Sequence, residues 1–485
     1  MCWFNNTVWS LYKIVRSWVI HGDRNSRVDE DAAIAIFMIF ICASLAFFLL
    51  GSFIRCARLS AVFGFIFSSI LIISEVVYPL RASMKYYSNS IIVVDYLQYW
   101  MALIRIVIIV FSTQAAFQDF NHTRSNFLKL IIVINTLLVV SFISSSNLFF
   151  LFIIFEISII PIFSIILSWG YQPEKVKAAY ALFFFTAISA SPIVIILTYI
   201  NYLGLGVLNL VAESFVKSRF YGEVVTCLII CGFIVKLPIY GLHLWLPLAH
   251  VEAPVYGSII LAGILLKLGG VGLVRLCSFI VSKYTANLII LICLISILLV
   301  GITCMYLTDL KKIIAFSSVS HIALSILFLV RLNKFRLFSV TLIIIVHAFR
   351  SSGMFILVYL FYLSSNSRNI LINMGGLCQY PYLRFMWLIV IISRIGGPPS
   401  INLIAEILGL LYRFSLFYKF FFLAVGGFIF SRAYHFILYR TVIQRNSSWD
   451  KIVFNMMSIN PSYIIVGLFH VVYRVTFVLL VRTFI

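Results

Sequence analysis

The chain has 485 residues, of which 63% are hydrophobic and only 11% are charged. Soluble domains average roughly 45–50% apolar and about 25% charged residues, so this chain cannot cover a water-exposed surface with polar groups. The net charge of +21 would suggest a nucleic-acid partner in a soluble protein. Here the basic residues stand singly in short loops and at the ends of apolar runs, where anionic lipid head groups are the expected contacts. Composition therefore predicts a membrane protein and argues against nucleic-acid binding.

The apolar runs predict helices rather than barrel strands. Each run is about twenty residues long, the length that crosses a bilayer as a helix, and the residues do not alternate as they would in a barrel. By that rule the chain has about fourteen transmembrane helices, so the expected fold class is an all-α polytopic membrane protein. In chain order the expected spans are 32–54, 59–80, 91–113, 127–146, 147–169, 178–203, 223–246, 255–276, 285–308, 311–331, 336–363, 383–411, 415–438 and 461–483.

The segment before the first span, residues 1–31, carries early basic residues such as Lys13 and Arg16. That pattern is compatible with a transit-like segment. It is also compatible with an amphipathic helix lying on the membrane, which aromatic residues such as Trp3 and Trp18 favour. Lys and Arg fall almost equally on the two sets of alternating loops, so charge bias does not predict the orientation in the membrane.

Two spans are interrupted by proline in the middle of the membrane. One break is expected near Pro238, and the other is expected near Pro398 and Pro399. Proline removes a backbone donor and clashes one turn back, so the helix should kink or end there. Irregular backbone at that depth is tolerated only where protein or a water-filled cavity surrounds it. Paired interruptions in two halves of a chain are typical of inverted-repeat transporters.

Ionisable side chains recur near the middle of the apolar spans, where they are costly and usually functional. Each can gain and lose a proton, and histidine suits the middle of a relay because its ordinary pKa lies near neutrality. Lysine, histidine and carboxylate side chains bridged by water can pass protons sideways through a bilayer. The six candidates, in separate spans, are Glu156, Lys236, Lys267, His321, His347 and Glu406.

Several of these charges also have plainer interpretations. Glu156 and Lys236 could form a structural ion pair, since neither can stay unpaired in lipid at low cost. His243 and His250 stand near the end of a span, where an interfacial position explains them as well as proton transfer does. Arg350 could snorkel to the interface or make a structural pair.

No redox or nucleotide motif is evident. The nine cysteines contain no C-x-x-C and stand mostly inside apolar runs, as small packing residues do. Iron–sulfur, haem and zinc spacings are not found. The glycine pair Gly204 and Gly206 lacks the strand–turn–helix context of a nucleotide site.

A long motif at 236–270 resembles a known family. It reads KLPIYGLHLWLPLAHVEAP at 236–254 and continues to LLKLGG at 265–270. Further segments that match are DLKKIIAFSSVSH at 309–321 and PPSINLIAE at 398–406. Together they resemble the chain 4 family of antiporter-like membrane-arm subunits of NADH:ubiquinone oxidoreductase, respiratory complex I. The similarity extends over residues 90–415, and the two ends agree only in hydropathy.

This resemblance implies two inverted five-helix repeats and a proton path. In this path Glu156 and Lys236 pair in the half-channel where protons enter, and Lys267 is the central relay. His321 and His347 bridge onward, and Glu406 stands at the exit. The members are Glu156, Lys236, Lys267, His321, His347 and Glu406, supported by His243, His250, Pro238, Pro398 and Pro399. The implied regions are an interfacial segment at 1–31, N-terminal helices at 32–113, a first repeat region at 127–276, a second at 285–438 and a C-terminal helix at 461–483.

The resemblance also implies the setting. The chain would be a subunit of an H⁺-translocating NADH:ubiquinone reductase with no redox cofactor of its own, while NAD, FMN, iron–sulfur clusters and ubiquinone bind to other subunits. Its expected partners are the sibling chains 2 and 5, accessory subunits and anionic lipids such as cardiolipin. The mitochondrial inner membrane is the expected location, rather than a bacterial plasma membrane.

Two other functions share the fold. One is a monovalent cation/proton antiporter subunit, and the other is a structural spacer without transport. Glu406 argues against the antiporter function, because the sibling chains 2 and 5 and related antiporter subunits resemble one another in carrying lysine at that position. The intact series of titratable residues argues against the structural spacer. Arg350 and Arg394 depart from the family pattern by placing positive charge near the exit. They are expected either to pair with Glu406 or to face lipid head groups.

Overall fold

The computed structural model describes residues 125–144, 148–202, 228, 230–280, 283–329, 334–375, 381–398, 400–411 and 421–443. Regular structure within these ranges is helical, with one isolated bridge between Asp309 and Asn369. In chain order the helices are α1 (Ser125–Ser144), α2 (Leu148–Ile157), α3 (Ile159–Trp169), α4 (Lys175–Tyr202), α5 (Trp245–Glu252), α6 (Val255–Ile260), α7 (Leu266–Ile280), α8 (Lys283–Tyr306), α9 (Leu310–Leu329), α10 (Lys334–Ser365), α11 (Pro381–Ile395), α12 (Ile401–Leu411) and α13 (Phe421–Ile443).

The described helices include seven stretches that are long and apolar enough to cross a membrane. They are Phe149–Trp169, Lys175–Thr198, Val255–Val274, Ala286–Tyr306, Leu310–Leu329, Phe338–Leu363 and Phe422–Ile443. The prediction of an all-α polytopic membrane protein is thus confirmed. The expected segment 1–31 and the expected spans 32–54, 59–80, 91–113 and 461–483 lie outside the described residues.

The helices differ sharply in how much of their surface is covered by protein. On α4 the apolar side chains of Ile188 and Ile195 are each 71% exposed, as suits contact with lipid. By contrast, every residue of Val255–Val274 is buried. This central stretch packs against α10, and its α7 end also contacts α9. A charged side chain on it can therefore be kept away from the hydrocarbon.

The predicted break near Pro238 is present. Helical structure ends at residue 236, and residues 237–244 form no helix before α5 begins at Trp245. Gly241 adopts φ +97°, a left-handed conformation that side chains with a Cβ rarely adopt. The indole Nε1–H of Trp245 donates to the carbonyl of Val235 at 3.1 Å, which satisfies one backbone acceptor beside the break.

The predicted break near Pro398 is also present, and it divides the span expected at 383–411 into two helices. α11 ends at Ile395 and α12 begins at Ile401. Gly396 between them has φ +80°, and the next amide, that of Gly397, donates to the carbonyl of Ile392 at 2.9 Å. Pro399 lies outside the described residues.

A π-helical turn over Leu261–Leu265 joins α6 to α7, and the sequence did not predict it. At its end the N–H of Leu266 donates to the carbonyl of Leu261, five residues back. Single π-turns inside α-helices are rare and often stand at functional sites. This one lies just before Lys267, whose ammonium donates to the carbonyl of Ala262 within the turn.

Candidate functional site

Glu156 on α2 and Lys236 beside the first break form a direct ion pair. The Lys236 Nζ lies 2.8 Å from Glu156 Oε1, so the expected approach of these two side chains is confirmed. The Lys236 ammonium also donates to the carbonyl of Phe155 at 3.1 Å and sits 3.5 Å above the centre of that residue's ring. Lys236 is only 1% exposed. Burial strengthens each of these attractions and makes loss of the carboxylate costly.

Lys267 occupies the centre of the described bundle. It is 3% exposed, and its Nζ lies 2.8 Å from Nδ1 of His347 on α10. Of the two histidines expected to bridge onward, His347 makes the direct contact with Lys267. The reason is geometric, because α6, the π-turn and α7 pack along α10 and bring Lys267 onto the His347 face.

A small cavity lies between Lys267 and the histidines His321 and His347. It is lined by Leu237, Lys267, His321, Ser325 and His347 among others. Its volume open to water is about 10 Å³, close to the least that one water needs. Leu237 follows Lys236 in the chain and also packs against the backbone of Gly269. The irregular segment after Lys236 thus reaches the cavity of Lys267.

Three histidines follow one another beyond Lys267. The ring centres of His347 and His321 are 6.1 Å apart, and those of His321 and His435 are 6.2 Å apart. All three are buried, and the Nε2 atom of each has no hydrogen-bond partner among the described residues. These distances suit transfer through one bridging water rather than direct contact.

Glu406 on α12 lies at the far end of this series. It is 5% exposed, its Oε1 accepts a hydrogen bond from Asn402 Nδ2 at 2.5 Å, and its Oε2 is 3.7 Å from the Arg432 guanidinium. The carboxylate stands close to Gly396, where an added Cβ would be 3.3 Å from Oε2. The lack of a side chain at Gly396 therefore leaves room for the acid.

Arg350 and Arg394 behave differently from either expectation. They are 1% and 2% exposed, so they do not face lipid head groups. Among the described residues, the ion pair of Glu406 is with Arg432, and neither buried arginine comes within ion-pair distance of that carboxylate. Arg350 Nη1 donates instead to the carbonyls of Ser393 and Arg394, at 3.2 and 3.3 Å.

The two supporting histidines are buried within the protein. His243 is stacked on Tyr240 with ring centres 4.9 Å apart, and its Nδ1 accepts the N–H of Gly241 at 3.2 Å. His250 is fully buried and stacks on Phe355 at 4.8 Å. Neither ring nitrogen of His250 has a hydrogen-bond partner among the described residues. His243 thus contacts the backbone of the first break, whereas His250 is packed among other side chains.

Sequence reasoning missed His435 and Arg432. Both lie on α13, three residues apart and therefore on one face of an apolar helix. A charge or imidazole inside an apolar span was the signal that identified the other candidates, and the same signal was present here. Asn402 was also missed, although it precedes Glu406 by one helical turn on α12.

Comparison with known proteins shows the family of this chain. Residues 145–431 match the family model described as NADH:quinone oxidoreductase/Mrp antiporter, transmembrane. NADH-ubiquinone oxidoreductase chain 4 of Ceratitis capitata is 37% identical over 314 residues, which cover 64% of this chain and 68% of the relative. The protein of the same name from Locusta migratoria is 34% identical over 375 residues, 76% of this chain and 81% of the relative.

Two solved structures share the fold. A chain of respiratory complex I from Thermus thermophilus matches with a TM-score of 0.66 and 18% identity, over 77% of this chain and 79% of that chain. A chain of the archaeal membrane-bound sulfane sulfur reductase matches with a TM-score of 0.69 and 17% identity, over 91% and 96%. This chain is a multi-pass membrane protein that belongs to the NADH:quinone oxidoreductase/Mrp antiporter family, within which it is a homologue of NADH-ubiquinone oxidoreductase chain 4.

Proposed function

We propose that this chain is a proton-translocating membrane subunit of NADH:ubiquinone oxidoreductase. The observation that carries the proposal is the series of titratable side chains, all buried except the partly exposed Glu156, with a broken helix at each end. The series begins at the Glu156–Lys236 pair, passes the Lys267–His347 contact, and reaches Glu406 through His321. A structural spacer has no need for such groups, since each is costly to bury in a membrane.

The Lys267–His347 contact provides the central step. Nδ1 of His347 can take a proton from the Lys267 ammonium directly, at 2.8 Å. The imidazole can then release a proton from Nε2, which has no described hydrogen-bond partner. The charged form of Lys267 is stabilised by no ion pair among the described residues, so its proton can be given up at little electrostatic cost.

The Glu156–Lys236 pair provides the coupling element on the side where protons enter. While Glu156 faces Lys236, the carboxylate stabilises the lysine's proton. Any movement of α2 that withdraws the carboxylate leaves a buried ammonium without its counter-charge, and this favours release of the proton toward the cavity of Lys267. His321 and His435 offer two onward positions, and His321 lines a cavity together with Glu406.

The remaining features of the setting follow from this role. We infer that NAD, FMN, iron–sulfur clusters and ubiquinone bind to other subunits, and that this chain packs beside antiporter-like chains 2 and 5, accessory subunits and cardiolipin. The relatives from animals point to the mitochondrial inner membrane.

Replacing Lys267 tests the proposal. In the purified complex reconstituted in liposomes, Lys267→Ala should abolish or strongly reduce NADH-driven proton pumping while assembly is retained. Lys267→Arg should also fail, because a guanidinium does not release its proton. Lys312→Ala, a change at an exposed lysine, is the matched control and should pump normally.

Two results would overturn the proposal. If both Lys267 variants assembled and pumped at the wild-type ratio of protons to NADH, the chain would be a structural spacer. If this chain carried sodium against protons in liposomes without NADH oxidation, the antiporter function would be the correct one.

A further inference from the structure

Arg350 is a buried arginine that lies next to the central relay on α10. It is 1% exposed, and it follows His347 by three residues, so the two side chains lie on one face of the helix. His347 is the residue that contacts Lys267. An arginine retains its proton in proteins, so Arg350 cannot serve as a proton carrier. Its position beside the relay therefore needs a different explanation.

The guanidinium of Arg350 donates to the end of α11 at the second break. Its Nη1 bonds to the carbonyls of Ser393 and Arg394, at 3.2 and 3.3 Å. In a continuous helix these carbonyls would accept the N–H groups of residues 397 and 398. Pro398 has no N–H, and the N–H of Gly397 donates to the carbonyl one residue earlier instead. A side chain of α10 thus takes the place of two backbone donors that the break withdraws from these carbonyls.

This contact constrains the end of α11 relative to α10. The C-terminal end of a helix carries a partial negative charge, so a guanidinium is attracted to its last carbonyls. Hydrogen bonds from a charged donor are also about twice as strong as those between neutral groups. Because Arg350 bonds to two successive carbonyls, both the distance and the rotation of the helix end are restricted. The second break is thereby tied to the helix that carries His347.

The end of α11 also forms one wall of the cavity that His321 and Glu406 line. Arg394 and Ile395 belong to this wall, and the volume open to water is about 10 Å³, close to the least that one water needs. The next residue, Gly396, lies against the carboxylate, since an added Cβ there would be 3.3 Å from Glu406 Oε2. Misplacing a reacting group by about 1 Å can slow a reaction by about a hundredfold. A small shift of the end of α11 would therefore disturb proton passage through this cavity.

We propose that Arg350 is a positioning residue for the exit step of proton transfer. By holding the end of α11 against α10, it keeps the cavity between His321 and Glu406 at the width of one water. This inference rests on the proposed function, because it places Arg350 beside a proton path. It also accounts for a positive charge at this position, since the guanidinium binds helix carbonyls and does not come within ion-pair distance of Glu406.

Hydrogen exchange tests this contact independently of transport. In the purified complex, Arg350→Met keeps a long side chain at this position but removes its donors. Exchange at the amides of Gly397, Ser400 and Leu403, which bond within the break, should rise by about tenfold or more, as expected for losing a hydrogen bond to a charged group. Arg384→Met, at an exposed arginine of α11, is the matched control and should exchange at the wild-type rate. Unchanged exchange in Arg350→Met would show that Arg350 does not hold the break.

Proton pumping tests the consequence for transport. Arg350→Met should lower the number of protons pumped per NADH, and Arg384→Met should pump normally. Arg350→Lys, whose ammonium can still donate to the helix end, should restore most of the loss. Should the methionine variant fail to assemble, Arg350→Gln supplies the same comparison with lysine. Wild-type pumping without the guanidinium, or equally poor pumping with lysine, would refute the positioning role.

A double variant tests whether Arg350 acts through Glu406. Asn402 donates to Glu406 Oε1 and so holds the same carboxylate from α12. Arg350→Met and Asn402→Ala together should therefore lower pumping by less than the product of the two single effects. Effects that multiply would place the action of Arg350 elsewhere and overturn the inference.

Failure of the proposed function would give a different result. Wild-type pumping by both Lys267→Ala and Lys267→Arg would refute proton transport by this chain, while faster exchange in Arg350→Met would still show the contact at the break. Normal pumping by Arg350→Met, with pumping lost in the Lys267 variants, would refute only the positioning role.

Discussion

The ammonium of Lys267 contacts Nδ1 of His347 across the interface between α7 and α10, at 2.8 Å. The second described acceptor of this ammonium is the carbonyl of Ala262, in the π-turn. A buried lysine that is held by a neutral ring and a carbonyl, rather than by a carboxylate, is arranged for proton transfer more than for stability. The first prediction follows from this contact.

Replacing His347 by alanine removes the direct acceptor of the Lys267 proton. NADH-driven pumping should fall by about a hundredfold or more, the lower end of the contribution of a positioned acid or base. Ser352→Ala on the same helix is the control, since that hydroxyl donates only to α10 carbonyls, and it should pump normally. Wild-type pumping by His347→Ala would mean that Lys267 passes its proton by another route.

Replacing Glu156 by glutamine separates transport from structural pairing. Lys236 would stay buried without its counter-charge, at a cost of about 1–3 kcal/mol, less than for a fully buried pair because the Glu156 side chain is 25% exposed. The double variant Glu156→Gln, Lys236→Met should recover thermal stability but not proton pumping. If the double variant pumped at the wild-type ratio, the pair would be purely structural.

Replacing Gly396 by alanine should disturb the exit carboxylate. Gly396 has a φ of +80°, a backbone conformation that costs a residue with a Cβ about 1–2 kcal/mol. The Cβ of the alanine would lie 3.3 Å from Glu406 Oε2. Gly241→Ala is the matched control, since φ is +97° there and no atom lies within 4 Å. Both variants should lower the unfolding temperature, and only Gly396→Ala should change pumping through Glu406. Equal pumping defects in both would point to backbone strain alone.

A polar cluster outside the membrane spans provides a pH-dependent prediction. Arg368 Nη1 donates to the carbonyl of Val251 at 3.0 Å. Gln172, with its amide nitrogen toward Glu252, bridges Glu252 Oε1 at 3.1 Å and Arg368 Nη2 at 3.0 Å. Burial raises the pKa of Glu252 above its ordinary 4.5, and the Arg368 cation opposes that rise.

When folding raises the pKa of an acid, the folded state loses stability as the pH rises from the ordinary pKa of that acid through the raised pKa. Hydrogen exchange in the Arg368 loop, corrected for intrinsic rates, should therefore increase over the pH range just above 4.5. Glu252→Gln should abolish this pH dependence, and Glu174→Gln, which leaves Glu252 buried but removes one charge that raises its pKa, should retain a smaller one. A pH dependence unchanged in Glu252→Gln would assign it to another group.

Much of the architecture could be predicted from local properties of the chain. A run of about twenty apolar residues has one low-energy structure in lipid, a helix, because its backbone must satisfy itself. The breaks at Pro238 and Pro398 were predicted because proline removes a backbone donor and clashes one turn back, although Pro192 lies inside the continuous helix α4. The titratable residues stood out for the same local reason, since a charge inside an apolar run is costly. These inferences need no knowledge of neighbours.

Which buried side chains contact each other depended on how the separate helices pack. The sequence did not show that Lys267 contacts His347 before His321, that a π-turn precedes it, or that His435 extends the series. It also left open whether Arg394 meets Glu406, lipid or neither. Such contacts join residues distant in the chain, and they follow from the register and rotation of one helix against another. Residue type and hydropathy determine which segments enter the membrane, whereas the packed tertiary structure decides which buried charge faces which partner.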